Sequence, residues 1–159
     1  MPKRSPATAS RRARSGPAAA NRPGKSGVAE RLEAHGIQPT AQRVAVAEFV
    51  LGTDRHPAAE TVLREVRSRL PYVSRATVYN TLRLFVERGL LRQLVLAEGH
   101  TVFDPRTEPH HHFIDEETGE ILDIPWEALA VEHTDRLPGL DVREYQVVLR
   151  GRRRPDRRG

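Results

Sequence analysis

From residue 28 onward, apolar side chains recur at the three- and four-residue spacing of amphipathic helices, and each run ends on a helix-stop signal. "VAERLEAHG" spaces Val28 and Leu32 ahead of Gly36, a short helix closed by glycine. In "PTAQRVAVAEFVLG", Thr40 is the N-cap and Val44, Val46, Ala47, Val50 and Leu51 form a broad apolar face. "HPAAETVLREVRSRLP" places Pro57 in a first turn, offers Val62, Leu63, Val66 and Leu70 for burial, and stops before Pro71. "VSRATVYNTLRLFVERGLL" is capped by Ser74, striped by Val78, Leu82, Leu84 and Phe85, and ended by Gly89. The spacing then changes. "LLRQLVLAEGHTVFD" gives two short apolar and β-branched runs around Glu98-Gly99, a hairpin. Short helices followed by a hairpin read as a winged helix-turn-helix.

Downstream the period is two. In a strand "HHHFID", His110 and His112 share one face and His111 takes the other. With a turn at 116–119, Asp115 pairs with Glu120 and His112 lies opposite Asp123, at about 5 Å between Cβ atoms. A one-residue slip would turn Asp123 away. "PWEALAVEHTDRL" is read as a helix with Trp126, Leu129, Ala130 and Leu137 on its apolar side and His133 along it. The fold class expected is α+β: an N-terminal winged helix-turn-helix DNA-binding domain, then a small α/β domain.

Composition sharpens this division. Residues 1–25 hold seven Lys/Arg and no acid, with almost no large apolar side chain to offset the entropy of ordering, so a disordered basic tail is expected. Residues 26–95 carry ten Arg against seven acids, whereas 96–149 carry three Arg against thirteen acids. Residues 151–159 form an Arg-rich tail. The domains expected are 26–97 for the winged helix and 98–150 for the α/β part, a division the opposite charge of the two halves agrees with. A basic half suits a polyanion such as DNA, and an acidic half with clustered histidine suits a cation. There is no cysteine, which excludes disulfides and thiolate metal sites and leaves nitrogen and oxygen ligands. No apolar run reaches the length of a membrane span, so no membrane partner and a cytoplasmic location are expected.

Two groups of side chains are chemically suggestive. The outward face of the helix after Ser74 presents Arg75, Thr77, Tyr79, Asn80 and Arg83, residue types that read base edges or grip phosphates; otherwise they form a solvated helix face. His110, His112 and Asp123 are donors that first-row cations prefer, and the alternative is a chance run of histidine solvated in a loop. His56, before Pro57, and Asp104, before Pro105, taken alone are a loop residue and a turn starter. A metal-dependent hydrolase would need a nucleophile or base motif beside the cluster; none is recognisable, so no enzyme is expected.

In that order, "GIQPTAQR", "ATVYNTLRLFVERGLLR", "TVFD", "HHHF" and "TGEILDI" resemble the ferric uptake regulator superfamily of dimeric bacterial repressors, over residues 27–151. The triple histidine, the lack of cysteine and the Arg-rich ending after "VVLR" are most similar to the iron response regulator branch; "ATVYN" and Asp104 also resemble the peroxide-sensing repressors. The resemblance implies a C-terminal dimerisation and metal-sensing domain, a homodimer on double-stranded operator DNA, and control of iron homeostasis or the peroxide response. It places the regulatory cation on His56, Asp104, His110, His112 and Asp123, with Fe(II) or Mn(II) as first choices, Zn(II) also competent, and haem as an alternative ligand of the His cluster. It implies DNA contacts at Arg43 and around Tyr79, giving the set Arg43, Ser74, Arg75, Thr77, Tyr79 and Asn80. The positions of the family's first zinc-binding cysteine pair hold Asp115 and Thr118, so no structural Cys-zinc site is expected. An accessory cation site of some relatives also looks lost, with Tyr145 at the place of its late histidine.

Overall fold

The computed structural model describes residues 25–96 and 99–154; Glu98 and most of both basic tails lie outside them. Four helices come first: α1 Lys25–Ala34, α2 Ala41–Leu51, α3 Ala59–Arg69 and α4 Arg75–Glu87. Their ends follow the local chemistry. The Thr40 hydroxyl accepts the Arg43 N–H, and the Ser74 hydroxyl accepts the Thr77 N–H at 3.0 Å, so one otherwise unpaired donor of each first turn is satisfied. Gly36 and Gly89 take left-handed backbone at φ 67° and 68°, which lets Ile37 N–H reach Leu32 O and Leu90 N–H reach Phe85 O at the helix ends. Helix α3 starts later than its sequence suggests. Pro57 precedes the cap residue Ala58 and spends its carbonyl on the Phe103 N–H instead.

The buried faces of the helices meet in one core of Val28, Leu32, Ile37, Val46, Ala47, Val50, Val62, Val66, Val78, Leu82, Phe85 and their neighbours. Leu70 and Val44 are only partly buried at its margin. Each fully buried large apolar side chain contributes about 1.5–3 kcal/mol relative to exposure. Strands β1 Arg92–Val95 and β2 Thr101–Asp104 form an antiparallel hairpin beside the helices, completing the winged helix-turn-helix. Phe103 on β2 packs into the helical core.

The second sheet has the order β4-β3-β5, with β3 His110–Asp115 central, β4 Ile121–Pro125 antiparallel to it and β5 Val148–Gly151 parallel. Its apolar core is thin: among the described residues of these strands only Ile114 is a buried hydrophobic. The helix expected over "PWEALAVEHTDRL" does not form. The segment holds short 3-10 turns at Trp126–Ala128 and Thr134–Arg136, and His133 between them adopts left-handed backbone. A helix of that length is marginal unless its apolar side is covered. Here Val131 and Leu137 stay exposed, while Trp126 turns to stack on His111.

Candidate metal centre

Long-range pairing brings His56 to the second half of the chain. Ala58 bridges Val102 in antiparallel fashion and Phe103 N–H donates to Pro57 O at 3.0 Å, so continuing that register sets His56 beside Asp104 at the end of β2. The turn after β2 is held by the Arg106 N–H donating to Asp104 Oδ1 at 2.8 Å. Strand β3 then delivers His110 and His112 on one face, and the β3–β4 register places Asp123 opposite His112.

The five side chains converge. One oxygen of Asp104, Oδ2, lies 2.9 Å from His110 Nε2, 3.3 Å from His112 Nε2 and 3.6 Å from His56 Nε2. Asp123 Oδ1 lies 3.1, 3.7 and 3.9 Å from the Nε2 atoms of His56, His110 and His112. Nε2 of His112 is 3.0 Å from that of His110 and 3.2 Å from that of His56. Donor atoms of His56, Asp104, His110 and His112 all fall within 4.8 Å of one another. Asp123 closes the outer side with its side chain 30 % exposed, and Arg106 Nη1 approaches it to 3.5 Å.

Three imidazole nitrogens facing one another cannot all be satisfied by the chain alone. In neutral His110, donation from Nδ1 to Glu108 O at 2.8 Å leaves Nε2 as a lone pair aimed inward. The Nδ1 atoms of His56 and His112 are buried without a hydrogen-bond partner. Either protons or a cation must therefore separate the inward-facing nitrogens and offset the two carboxylates. Burial lowers His56, but hydrogen bonds and charge from Asp104 and Asp123 outweigh it and raise its pKa to about 9. The same contest, won by Asp104, Glu108 O and the charge of Asp123, raises His110. Burial pushes Asp104 up, yet hydrogen bonds from His110, His112, His56 and the Arg106 N–H hold it far below the usual carboxylate range. Asp123 is likewise lowered, chiefly by His56 against burial. Three nitrogens and two carboxylate oxygens, all but that of Asp123 buried and none of them sulfur, fit a divalent first-row cation.

The opposite face of β3 is built differently. His111 is fully buried, stacked on Trp126 at 4.6 Å and facing Tyr145 at 6.1 Å, with the Val147 N–H approaching its Nδ1 at 3.3 Å. It takes no part in the cluster.

On the helical half, Arg75, Tyr79 and Asn80 are exposed on α4, Thr77 is half-buried, and the Ser74 hydroxyl serves the cap. Arg43 lies on α2 and donates to Gln38 O at 3.1 Å. Sequence reasoning missed three participants. Glu60 accepts from both Arg75 and Tyr79, while the Arg106 N–H and the Glu108 carbonyl orient Asp104 and His110. For the latter two, the turn-forming "DPRTEP" between the strands was the available signal.

A family model for the ferric uptake regulator family matches residues 34–149. The peroxide operon regulator of Bacillus subtilis is 36 % identical over 100 residues, 63 % of this chain and 69 % of that protein. The peroxide-responsive repressor PerR of Staphylococcus aureus is 31 % identical over 126 residues, 76 % of this chain and 82 % of that one. Among solved structures, the ferric uptake regulator from Pseudomonas aeruginosa with manganese covers 80 % of this chain and 98 % of its own at 24 % identity and a TM-score of 0.63, a likeness of fold. With the family model spanning the helices, the wing and the second sheet, and a relative 31 % identical over most of its own length, the chain belongs to the ferric uptake regulator family.

Proposed function

We propose that this chain is a metal-dependent DNA-binding transcriptional repressor, with Fe(II) or Mn(II), or Zn(II) where available, held by His56, Asp104, His110, His112 and Asp123. The observation on which this rests is that His56, from the connection between α2 and α3, meets four donors from β2, β3 and β4 around one small volume. A bound divalent ion supplies the positive charge that otherwise falls to protons. The chain's own part is to fix His56 relative to β3, and with it the start of α3 relative to the second sheet. In a homodimer this sets the spacing of two α4 helices, whose Arg75, Thr77, Tyr79 and Asn80, with Arg43 and Ser74, meet operator DNA. Exposed Leu137, Leu140, Val142, Val148 and Leu149 beside a thin core are consistent with a second copy covering this half.

The curated relatives at 36 % and 31 % identity are peroxide regulators, which favours the peroxide response over general iron homeostasis as the signal. Haem is the less favoured ligand, because His110, His111 and His112 are all buried within packed surroundings that a macrocycle would have to open.

The test is operator binding by mobility shift with Mn(II) or with a chelator. The parent is expected to bind tightly only with Mn(II), and His110→Ala and Asp104→Ala to bind weakly under both conditions. Variants that match the parent in both conditions remove the cluster from the switch.

A further inference from the structure

Against α4, the helix assigned to reading DNA, stands an acid from the neighbouring helix α3. Glu60 is the second residue of α3, and its Oε1 accepts the Tyr79 hydroxyl at 2.7 Å and the Arg75 guanidinium at 2.6 Å. Tyr79 and Arg75 sit one turn apart on α4, and both are substantially exposed. Left to themselves they would sample several rotamers. Tied to one carboxylate oxygen, each is confined.

A bare carboxylate on a surface that meets phosphates weakens binding to every DNA sequence alike. Its presence is accounted for if the charge orients groups that read sequence. The chemistry is specific. By donating its O–H to Glu60, Tyr79 is left with phenolic lone pairs and a ring, able to accept from a base amino group or to cover a thymine methyl, but not to donate. Arg75 keeps its remaining N–H groups for phosphate or guanine. The hydrogen bond from Tyr79 to Glu60 also holds the Tyr79 phenol above its ordinary titration range. Helix α3 is a firm base for the carboxylate, since its cap residue Ala58 is bridged to Val102 of the wing.

We infer that Glu60 is a positioning residue for DNA recognition, fixing Tyr79 as an acceptor and Arg75 as a directed donor, and so setting how sharply operator DNA is told from other DNA. This rests on the regulator reading above. It deepens that reading by naming what organises the readout.

The experiment uses the full chain with Mn(II), a duplex selected from a random pool by the parent protein, and a scrambled duplex of equal length, followed by fluorescence anisotropy. E60A is expected to lower the operator-to-scrambled affinity ratio about tenfold, the scale of one lost charge-assisted hydrogen bond, without weakening scrambled binding. E60Q keeps an acceptor for Tyr79 and is expected to keep the larger share of the ratio. In the free protein, E60A should bring the Tyr79 phenol down toward its ordinary range, chiefly through loss of the Glu60 hydrogen bond, read by NMR titration. An unchanged ratio in E60A, or equal weakening on both duplexes, overturns the inference while leaving the regulator reading intact. A parent protein that selects no duplex with Mn(II) removes the regulator reading, and this inference with it.

Discussion

Raising the pH of the metal-free protein should both destabilise it and open the cluster to cations. His56 has its pKa raised from 6.5 to about 9, because the charge and hydrogen bonds of Asp104 and Asp123 outweigh burial. A folded pKa above the unfolded one means that stability is fully present below pH 6.5 and is lost as pH climbs through about 9. At about 1.4 kcal/mol per unit, the loss is about 3 kcal/mol, with little solvent screening to discount since the side chain is 3 % exposed. Asp104 and Asp123, both lowered, stay ionised throughout this window and add no slope, whereas His110, raised by the same carboxylates, adds to the loss. The proton on His56 must leave when its nitrogen becomes a ligand. Apparent Mn(II) affinity should therefore rise about tenfold per pH unit for each proton released, or about a hundredfold over two units. Urea denaturation of chelator-treated protein at stepped pH measures the first effect. Calorimetric Mn(II) titration in two buffers of different ionisation enthalpy counts the protons in the second. A metal-free stability that is flat from pH 6.5 to 9, together with Mn(II) uptake that releases no proton, would refute the reasoning.

Three further outcomes follow from the same geometry. Asp104→Asn keeps the shape of the side chain but removes the charge that touches three imidazoles, and should lower Mn(II) affinity more than about a hundredfold, beyond what outer-shell partners contribute, with circular dichroism unchanged. Ser74→Ala removes the acceptor for the Thr77 N–H and should cost about 1 kcal/mol in urea denaturation. Leu149→Asp, on exposed β5, should shift sedimentation velocity from dimer to monomer while leaving the helical core folded.

How far the sequence speaks depends on the range of the interactions. The helices are legible because their signals are local: Thr40 and Ser74 cap, and Gly36 and Gly89 take the backbone that other residues avoid. The pairing of His112 with Asp123 is legible once the turn is placed at 116–119, because the two-residue period then sets both on one face, the register observed. The meeting of His56 with Asp104 is not, since it depends on the Ala58–Val102 bridge, which no local pattern announces; family resemblance alone pointed to it. Periodicity misleads at "PWEALAVEHTDRL", because an apolar stripe makes a helix only where something covers it, and the stack of Trp126 on His111 competes. Glu60 escapes notice for a related reason: on α3 it reads as an ordinary first-turn acid, and only the packing of α3 on α4 gives it Arg75 and Tyr79.

His56 is the one donor of the cluster drawn from the connection between two helices, the others lying on β2, β3 and β4, so His56→Ala separates holding the ion from passing its effect to the start of α3. Operator affinity should be measured for parent and variant at saturating Mn(II) and in chelator. The parent should gain at least about a hundredfold with Mn(II), within the range open to a ligand that strongly prefers one of two states. The variant should still bind Mn(II) through Asp104, His110, His112 and Asp123 yet show no gain on operator DNA. A variant whose Mn(II)-dependent gain equals the parent's would contradict the claim that the ion acts by joining the two halves of the chain.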